Sequence, residues 1–209
     1  PVAALKQAGA TVEVIALHPG RIRGMNVHQP ADLIHVDRIV SEAVAADYDG
    51  LLIPGGYISP DLLRQSALAR SFVRDMDALE KPVALMSQAA SVLTSAGLVR
   101  NRRLTSWPGM RDDMVNAGAT WLNDEVVHDG NWLSSRGPQD ITPFIRDMIS
   151  LFAGEQHRSA SPGKALSDPQ VEEPSESPDQ PLHWLSTPSL GAILCLRFPG
   201  VGVVDANRA

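Results

Sequence analysis

Ser87 lies where the sequence could place a nucleophile. The apolar residues 82–86 predict a buried strand, and the residues that follow Ser87 predict a helix. A turn from strand to helix with one hydroxyl or thiol at its apex exposes the reactive atom in many hydrolases. A serine hydroxyl does not ionise near neutral pH, so it needs a general base. The neighbouring Gln88 cannot accept a proton, so the base would have to come from elsewhere.

The histidines are the candidates for that base. His18 ends a predicted strand, which makes it the strongest candidate, although a histidine beside Pro-Gly is also typical of a solvated turn. His28, His35 and His128 are weaker candidates. Three interpretations of Ser87 stay open: an N-cap of the following helix, a pocket residue that binds without reacting, and a working nucleophile.

Alternating strands and helices over residues 1–154 would position these side chains. Predicted strands cover residues 11–17, 50–54, 82–86 and 103–106, and predicted helices cover 60–79 with a break near Ser66, 88–95, 107–115 and 139–152. The Asp129-Gly130 pair between two extended runs predicts a hairpin. The pattern indicates an α/β fold with a doubly wound parallel sheet and a hairpin addition.

The carboxyl ends of parallel strands in such a sheet meet at one edge, where ligands bind. His18, the Gly55-Gly56 pair and Ser87 all follow predicted strands, so we expect them at that edge. The backbone N–H groups of Gly56 and Gln88 are expected to form an anion-binding pair there.

Composition excludes several classes of function. The chain has 209 residues with a formal charge of −6 and no basic cluster denser than residues 100–103, which argues against a nucleic-acid surface. Its one cysteine excludes an internal disulfide or a CxxC metal site. Asp112 and Asp113 could pair on a metal, but carboxylates in the first turn of a helix more simply offset its dipole. We therefore predict no metal and no cofactor.

The C-terminal quarter differs in character. Residues 155–181 are rich in Pro, Ser and acidic side chains, which predicts a disordered linker between the 1–154 domain and an apolar tail, residues 182–209. The tail is too short and interrupted for a membrane span, so we expect no membrane partner. It would be either a docking strand or a segment without fixed structure. No pattern typical of a secretion signal is present, so a cytoplasmic location is expected.

Four segments of the chain resemble the ThiJ/PfpI family of class I glutamine-amidotransferase-like proteins over about residues 1–153. They are DYDGLLIPGG (47–56), KPVALMSQAASVLTSAGLV (81–99), RRLTSWPGMRDDMVNAGATW (102–121) and EVVHDGNWLSSRGP (125–138). The resemblance implies a flavodoxin-like sandwich that forms dimers or higher oligomers. It also implies an intracellular hydrolase activity, described as peptidase or as deglycase of glycated proteins.

The chain departs from the family pattern at the nucleophile. The family's Cys-His-Gly run at the elbow is matched here by Ser87, Gln88 and Ala89. The resemblance also assigns Asp61 to an acid that reaches a neighbouring subunit's histidine, and Gly55, Gly56 and Arg136 to the pocket, although a surface loop would equally explain Arg136. We therefore expect a degenerate hydrolase, with copies of itself and a small carbonyl or amide compound or a protein as partners. The alternative is a non-catalytic binding or chaperone-like protein.

The family's first strand, which carries a glutamate that hydrogen-bonds the cysteine, would precede Pro1. Residues 1–8 have the pattern of the second half of an amphipathic helix. The sheet would then have an open central slot between two strands, with unmatched backbone N–H and C=O groups. Residues 191–198, GAILCLRF, are the unassigned segment with strand character, so we consider them as the segment that fills it.

Overall fold

The computed structural model describes residues 1–26, 29–154 and 192–197. The helices of this part are α1 (Val2–Gln7), α2 (Ile58–Gln65), α3 (Ala67–Ala78), α4 (Ala90–Ser95), α5 (Arg111–Asn116) and α6 (Ile141–Phe152). The strands are β1 (Thr11–Ala16), β2 (Arg21–Asn26), β3 (Gln29–His35), β4 (Arg38–Ile39), β5 (Gly50–Ile53), β6 (Val83–Met86), β7 (Arg103–Leu104), β8 (Thr120–Trp121), β9 (Val126–Asp129), β10 (Trp132–Ser135) and β11 (Ala192–Arg197).

The main sheet has seven strands in the order β4-β1-β11-β5-β6-β10-β9. Strands β5, β6 and β10 are parallel, and β4 is parallel to β1. The predicted hairpin around Asp129 and Gly130 is present as the antiparallel pair β9–β10. These features confirm the predicted α/β fold with a parallel sheet and a hairpin addition.

The strands β5, β6 and β10 are buried on both faces, which explains their nearly continuous apolar sequence. One face packs against α2 to α5, which contribute Leu63, Phe72, Leu93 and Met114 to a large apolar cluster. The other face packs against α1 and α6 through Leu5, Phe144 and Met148. The sheet is therefore the middle layer of a three-layer sandwich.

Strand β11 occupies the slot at the centre of the sheet. It runs antiparallel to β1, with Thr11 opposite Arg197 and Ala16 opposite Ala192, and antiparallel to β5, with Leu194 opposite Leu52. This is the segment that the sequence suggested as the filler of the slot, and the structure places residues 192–197 of it there. The predicted linker, residues 155–181, and the rest of the tail lie outside the described residues.

The sequence pattern did not predict the hairpin β2–β3. Gly24 interrupts the alternation, and the register shifts between Arg23 and Met25. A bulged hairpin outside the main sheet lacks the apolar run that marks a central strand. In the parts of the chain that the structure describes, no helix has both the length and the apolar character needed to cross a membrane.

Candidate functional site

Ser87 sits at a strained turn between β6 and α4. It opens a single 3-10 turn, Ser87–Ala89, and its backbone φ is +59°. A non-glycine residue with positive φ is uncommon, and such conformations typically cost about 1–3 kcal/mol and cluster at functional sites. The side chain is 6% exposed. The surrounding packing therefore holds Ser87 in an elbow that the local backbone alone does not favour.

Gly55 allows the end of β5 to approach this elbow. A Cβ atom built on Gly55 would lie 2.9 Å from the Cβ of Ser87 and 3.0 Å from the carbonyl oxygen of Met86. The next residue, Gly56, has a φ of +111°, which favours glycine. Strands β5 and β6 are paired neighbours, so the structure brings Gly55, Gly56 and Ser87 together at the carboxyl edge of the sheet.

The hydroxyl of Ser87 donates a hydrogen bond to the Oε1 atom of Gln88. The backbone carbonyl oxygen of Ser87 accepts a 3.3 Å hydrogen bond from the backbone N–H of Trp107. Within the described residues, no hydrogen bond joins Ser87 to a histidine or a carboxylate. An amide oxygen holds the hydroxyl but does not remove its proton. The geometry therefore keeps the apex of a nucleophile elbow without an attached base.

Ser87 is not an N-cap. Neither the 3-10 turn nor α4 has a side-chain hydrogen bond at its N-terminal cap, and the cap residue of α4 is Ala89. The N-cap interpretation of Ser87 is therefore wrong. The interpretations as a binding residue and as a nucleophile remain.

The structure does not join the candidate histidines to Ser87. His18 lies in the exposed turn after β1, as expected for a solvated position. His35 lies 3.6 Å from Asp37, and His128 lies 3.4 Å from Asp147. His28 lies outside the described residues. Among the described residues, none of these histidines is hydrogen-bonded to Ser87, so none is positioned as its general base.

Asp61 lies in the first turn of α2 and is exposed. Its Oδ2 atom accepts a 3.0 Å hydrogen bond from the side-chain amide of Gln65, one helical turn later. The carboxylate is thus held at the surface near the start of the helix that follows the glycine pair. Its action on a neighbouring subunit stays a prediction.

Arg136 is fully buried, so the surface-loop interpretation is wrong. Its guanidinium donates two hydrogen bonds to the carboxylate of Asp140, at 2.8 and 2.9 Å, and one to the Oδ1 atom of Asn123, at 3.1 Å. Asp140 is itself only 2% exposed. Such a bidentate pair fixes the segment between β10 and α6, and this is a positioning role for Arg136.

The segment 105–107 was missed in the sequence as a support of the elbow. Besides the bond from Trp107 to Ser87, the hydroxyl of Ser106 accepts a 3.0 Å hydrogen bond from the indole of Trp121. The backbone N–H of Thr105 donates to the hydroxyl of Ser134 at 2.9 Å. The signal in the sequence was the TSWPG run, residues 105–109, which spans the end of the predicted strand 103–106 and the start of the predicted helix 107–115.

Asp112 and Asp113 lie in the first turn of α5, as predicted. Among the described residues, no group of three or more His, Cys, Asp or Glu side chains could hold a metal ion. At this position the two carboxylates offset the helix dipole.

The fold and the elbow define a protein of the DJ-1/PfpI class. Residues 1–151 match the model of the DJ-1/PfpI family, and the chain belongs to this family. A deglycase of Pyrococcus horikoshii is 37% identical over 152 residues, which cover 73% of this chain and 89% of that protein. The deglycase PfpI of Pyrococcus furiosus is 36% identical with the same coverage.

Solved structures agree with this assignment. A two-domain protein of Anabaena variabilis, with DJ-1/ThiJ/PfpI-like and ferritin-like domains, matches with a TM-score of 0.68 and 30% identity, over 77% of this chain and 47% of that chain. Drosophila melanogaster DJ-1beta matches with a TM-score of 0.54 and 30% identity, over 59% of this chain and 66% of that chain. The flavodoxin-like fold implied by the family resemblance is thereby confirmed.

Proposed function

We propose that this chain is a degenerate member of the DJ-1/PfpI family, whose elbow site binds a small carbonyl or amide group, free or on a protein, without hydrolysing it. The family membership and the deglycase names of its relatives support the ligand class. The strained turn at Ser87 and the close approach of Gly55 support a retained elbow geometry.

The observation that carries the proposal is the hydrogen bond from the Ser87 hydroxyl to Gln88. It directs the serine proton to a neutral amide oxygen that cannot act as a base. Loss of a positioned general base typically lowers a rate by about 10²–10⁴-fold, and a serine is also a weaker nucleophile than a thiolate. Binding needs neither group to react, so it survives this loss.

Residual hydrolysis by Ser87 is the second candidate function. The positive φ of Ser87 favours it, because a strained apex would have little reason to persist in a turn with no role. This activity would require a base brought by the substrate or by a neighbouring subunit. The exposed carboxylate of Asp61 is compatible with an assembly of several copies, which we propose as the functional form.

The binding site can be mapped by NMR with ¹⁵N-labelled protein. We titrate it with a short arginine peptide modified by methylglyoxal, and with the unmodified peptide as control. The proposal predicts shifts at residues 55–57, 87–90 and 105–107 that only the modified peptide produces. The matched variants are Ser66→Ala, a serine that caps α3 outside the site and should leave the shifts unchanged, and Gln88→Ala, which should alter them. Equal responses to both peptides, or shifts elsewhere only, would contradict the proposal.

A further inference from the structure

Strand β11 enters the sheet from outside the family domain. It follows residues 1–151, which match the family, and it pairs with β1 and β5, which are distant from it in sequence. Residues 155–191 connect it to the end of α6. Since β11 is far in sequence from β1 and β5, chain connectivity does not determine whether it pairs with its own domain or with that of a second copy.

The slot is shaped for this strand. Ile193 and Cys195 pack into the cluster on the α2–α5 side of the sheet, and Leu194 and Leu196 pack into the cluster on the α1–α6 side. These four side chains are 0–7% exposed. Burial of each large apolar side chain is worth about 1.5–3 kcal/mol, so an empty slot would be unfavourable.

Polar contacts hold the charged end of β11. The guanidinium of Arg197 lies 3.8 Å from the carboxylate of Glu13 and 5.0 Å from the ring centre of Tyr48. The carbonyl oxygen of Leu196 accepts a 2.8 Å hydrogen bond from the backbone N–H of Asp49. The hydroxyl of Tyr48 donates to the same glutamate at 3.1 Å. A β11 strand from any copy of the chain would make the same contacts.

We propose that the slot between β1 and β5 is a strand-acceptor site that takes β11 from a second copy of this chain, which yields a strand-exchanged dimer. The contacts of an exchanged strand are identical to those of the chain's own strand, so exchange costs little beyond its entropy. Fully extended, a chain as long as residues 155–191 spans at most about 120–130 Å. That distance reaches the slot of an adjacent domain.

Mass action sets how often the exchange occurs. A segment tethered to its own binding site typically has an effective concentration on the order of 1 mM there. At a chain concentration of about 100 µM, roughly one strand in ten is then exchanged at equilibrium. Chains that keep their own strand dominate in dilute solution, and the exchanged form grows with concentration.

A mixed disulfide tests the exchange directly. Cys195 is the single cysteine of the chain, and it lies directly opposite Leu51, with both side chains 0% exposed. Opposite residues of antiparallel strands have Cα atoms about 4.5–5.5 Å apart, within the range of a disulfide. The acceptor is Leu51→Cys with Cys195→Ser, and the donor is the wild-type chain with an affinity tag. The two are incubated together in mild urea at 20 and 500 µM, diluted equally and oxidised with copper phenanthroline.

The proposal predicts a covalent heterodimer whose yield rises with the concentration before dilution. A matched control acceptor, Leu33→Cys with Cys195→Ser, carries its cysteine at a side chain that is 48% exposed and should give little heterodimer, because Cys195 of the donor is buried. The single variant Leu51→Cys should form an intramolecular disulfide. A heterodimer yield no higher than the control, while that intramolecular disulfide forms, overturns the proposal.

If Leu51→Cys forms no disulfide, a second experiment on the wild-type chain tests the proposal. Protein refolded at 20 and at 500 µM is diluted to the same concentration and analysed by size exclusion. A dimer fraction that depends on the refolding concentration, and persists after dilution, supports strand exchange. Equal profiles from the two samples overturn it.

Discussion

At the scale of single residues, the close approach of Gly55 to Ser87 explains why the elbow tolerates no side chain at position 55. We expect Gly55→Ala to lower the free energy of unfolding by about 1–3 kcal/mol, because the added methyl would meet backbone and Ser87 at 2.9–3.0 Å. The matched control is Gly24→Ala, whose methyl would meet its neighbours at 3.5 Å or more. Urea unfolding measures both, and equal effects would contradict the crowded elbow.

The buried ion pair of Arg136 gives a second prediction at this scale. Arg136→Met should cost about 3–5 kcal/mol of unfolding free energy, since it removes the guanidinium that is paired with the buried carboxylate of Asp140. The exposed pair of Arg111 and Asp112 is the control, and Arg111→Met should cost at most about 0.5 kcal/mol. Adding Asp140→Leu to Arg136→Met should recover part of the loss. A small effect of the single variant would refute the positioning role.

The sequence predicted where residues lie along the sheet better than it predicted their burial and hydrogen-bond partners. Ser87 and the glycine pair could be placed at one edge, because strand ends can be located from apolar runs. The burial of Arg136 and the failure of Ser87 to cap its helix could not be predicted. They depend on Asp140, Asn123 and Trp107, whose approach is determined by packing across the fold.

At the scale of elements, β11 should behave as a central strand. Ile193→Ala removes a fully buried side chain and should cost about 2–5 kcal/mol of unfolding free energy. Leu33→Ala, at a side chain that is 48% exposed, should change stability by about 0.5 kcal/mol or less. Thermal and urea unfolding measure both variants. If Ile193→Ala is as mild as Leu33→Ala, β11 does not fill the slot.

Alkaline pH should weaken the contacts of β11. Burial, and then the charge of Glu13, raises the pKa of Tyr48 from 10.0 to about 12, and the same two causes raise the pKa of the Cys195 thiol above its usual range. Both groups stay protonated in the fold at pH values where the unfolded chain loses those protons. Their contribution to stability is therefore complete below about pH 8.5 and declines as pH rises toward 12.

The measurement is the urea midpoint of unfolding between pH 8 and 11. It should fall more steeply for the wild type than for Tyr48→Phe or for Cys195→Ala, because each variant lacks one of the titrating groups. Tyr57→Phe is a suitable control, since Tyr57 is 65% exposed. Parallel curves for all four proteins would contradict the assigned cause.

The elements of the family domain were largely predictable, and the bulged hairpin was not. Long apolar runs and helical periodicity identified β5, β6, α3 and α6, whose residues face the core in a regular pattern. The hairpin β2–β3 carries a bulge at Gly24 that breaks the alternation on which strand prediction depends.

At the scale of the whole molecule, the structure is a family domain completed by a strand from beyond the matched region. The sequence suggested that residues 191–198 could fill the slot because few other segments had strand character. It could not give their antiparallel direction, in which Arg197 lies beside Glu13 and Tyr48. Long-range pairing of this kind leaves no local signature.

The fate of a methylglyoxal adduct tests the central claim, that the elbow site binds but does not hydrolyse. A modified arginine peptide is incubated with the wild-type chain, with Ser87→Ala and without protein, and mass spectrometry follows loss of the adduct. We expect the three rates to agree, because the Ser87 hydroxyl is hydrogen-bonded to a neutral amide and has no described base. A wild-type rate above the protein-free control that drops at least tenfold in Ser87→Ala would contradict the account and establish Ser87 as a nucleophile.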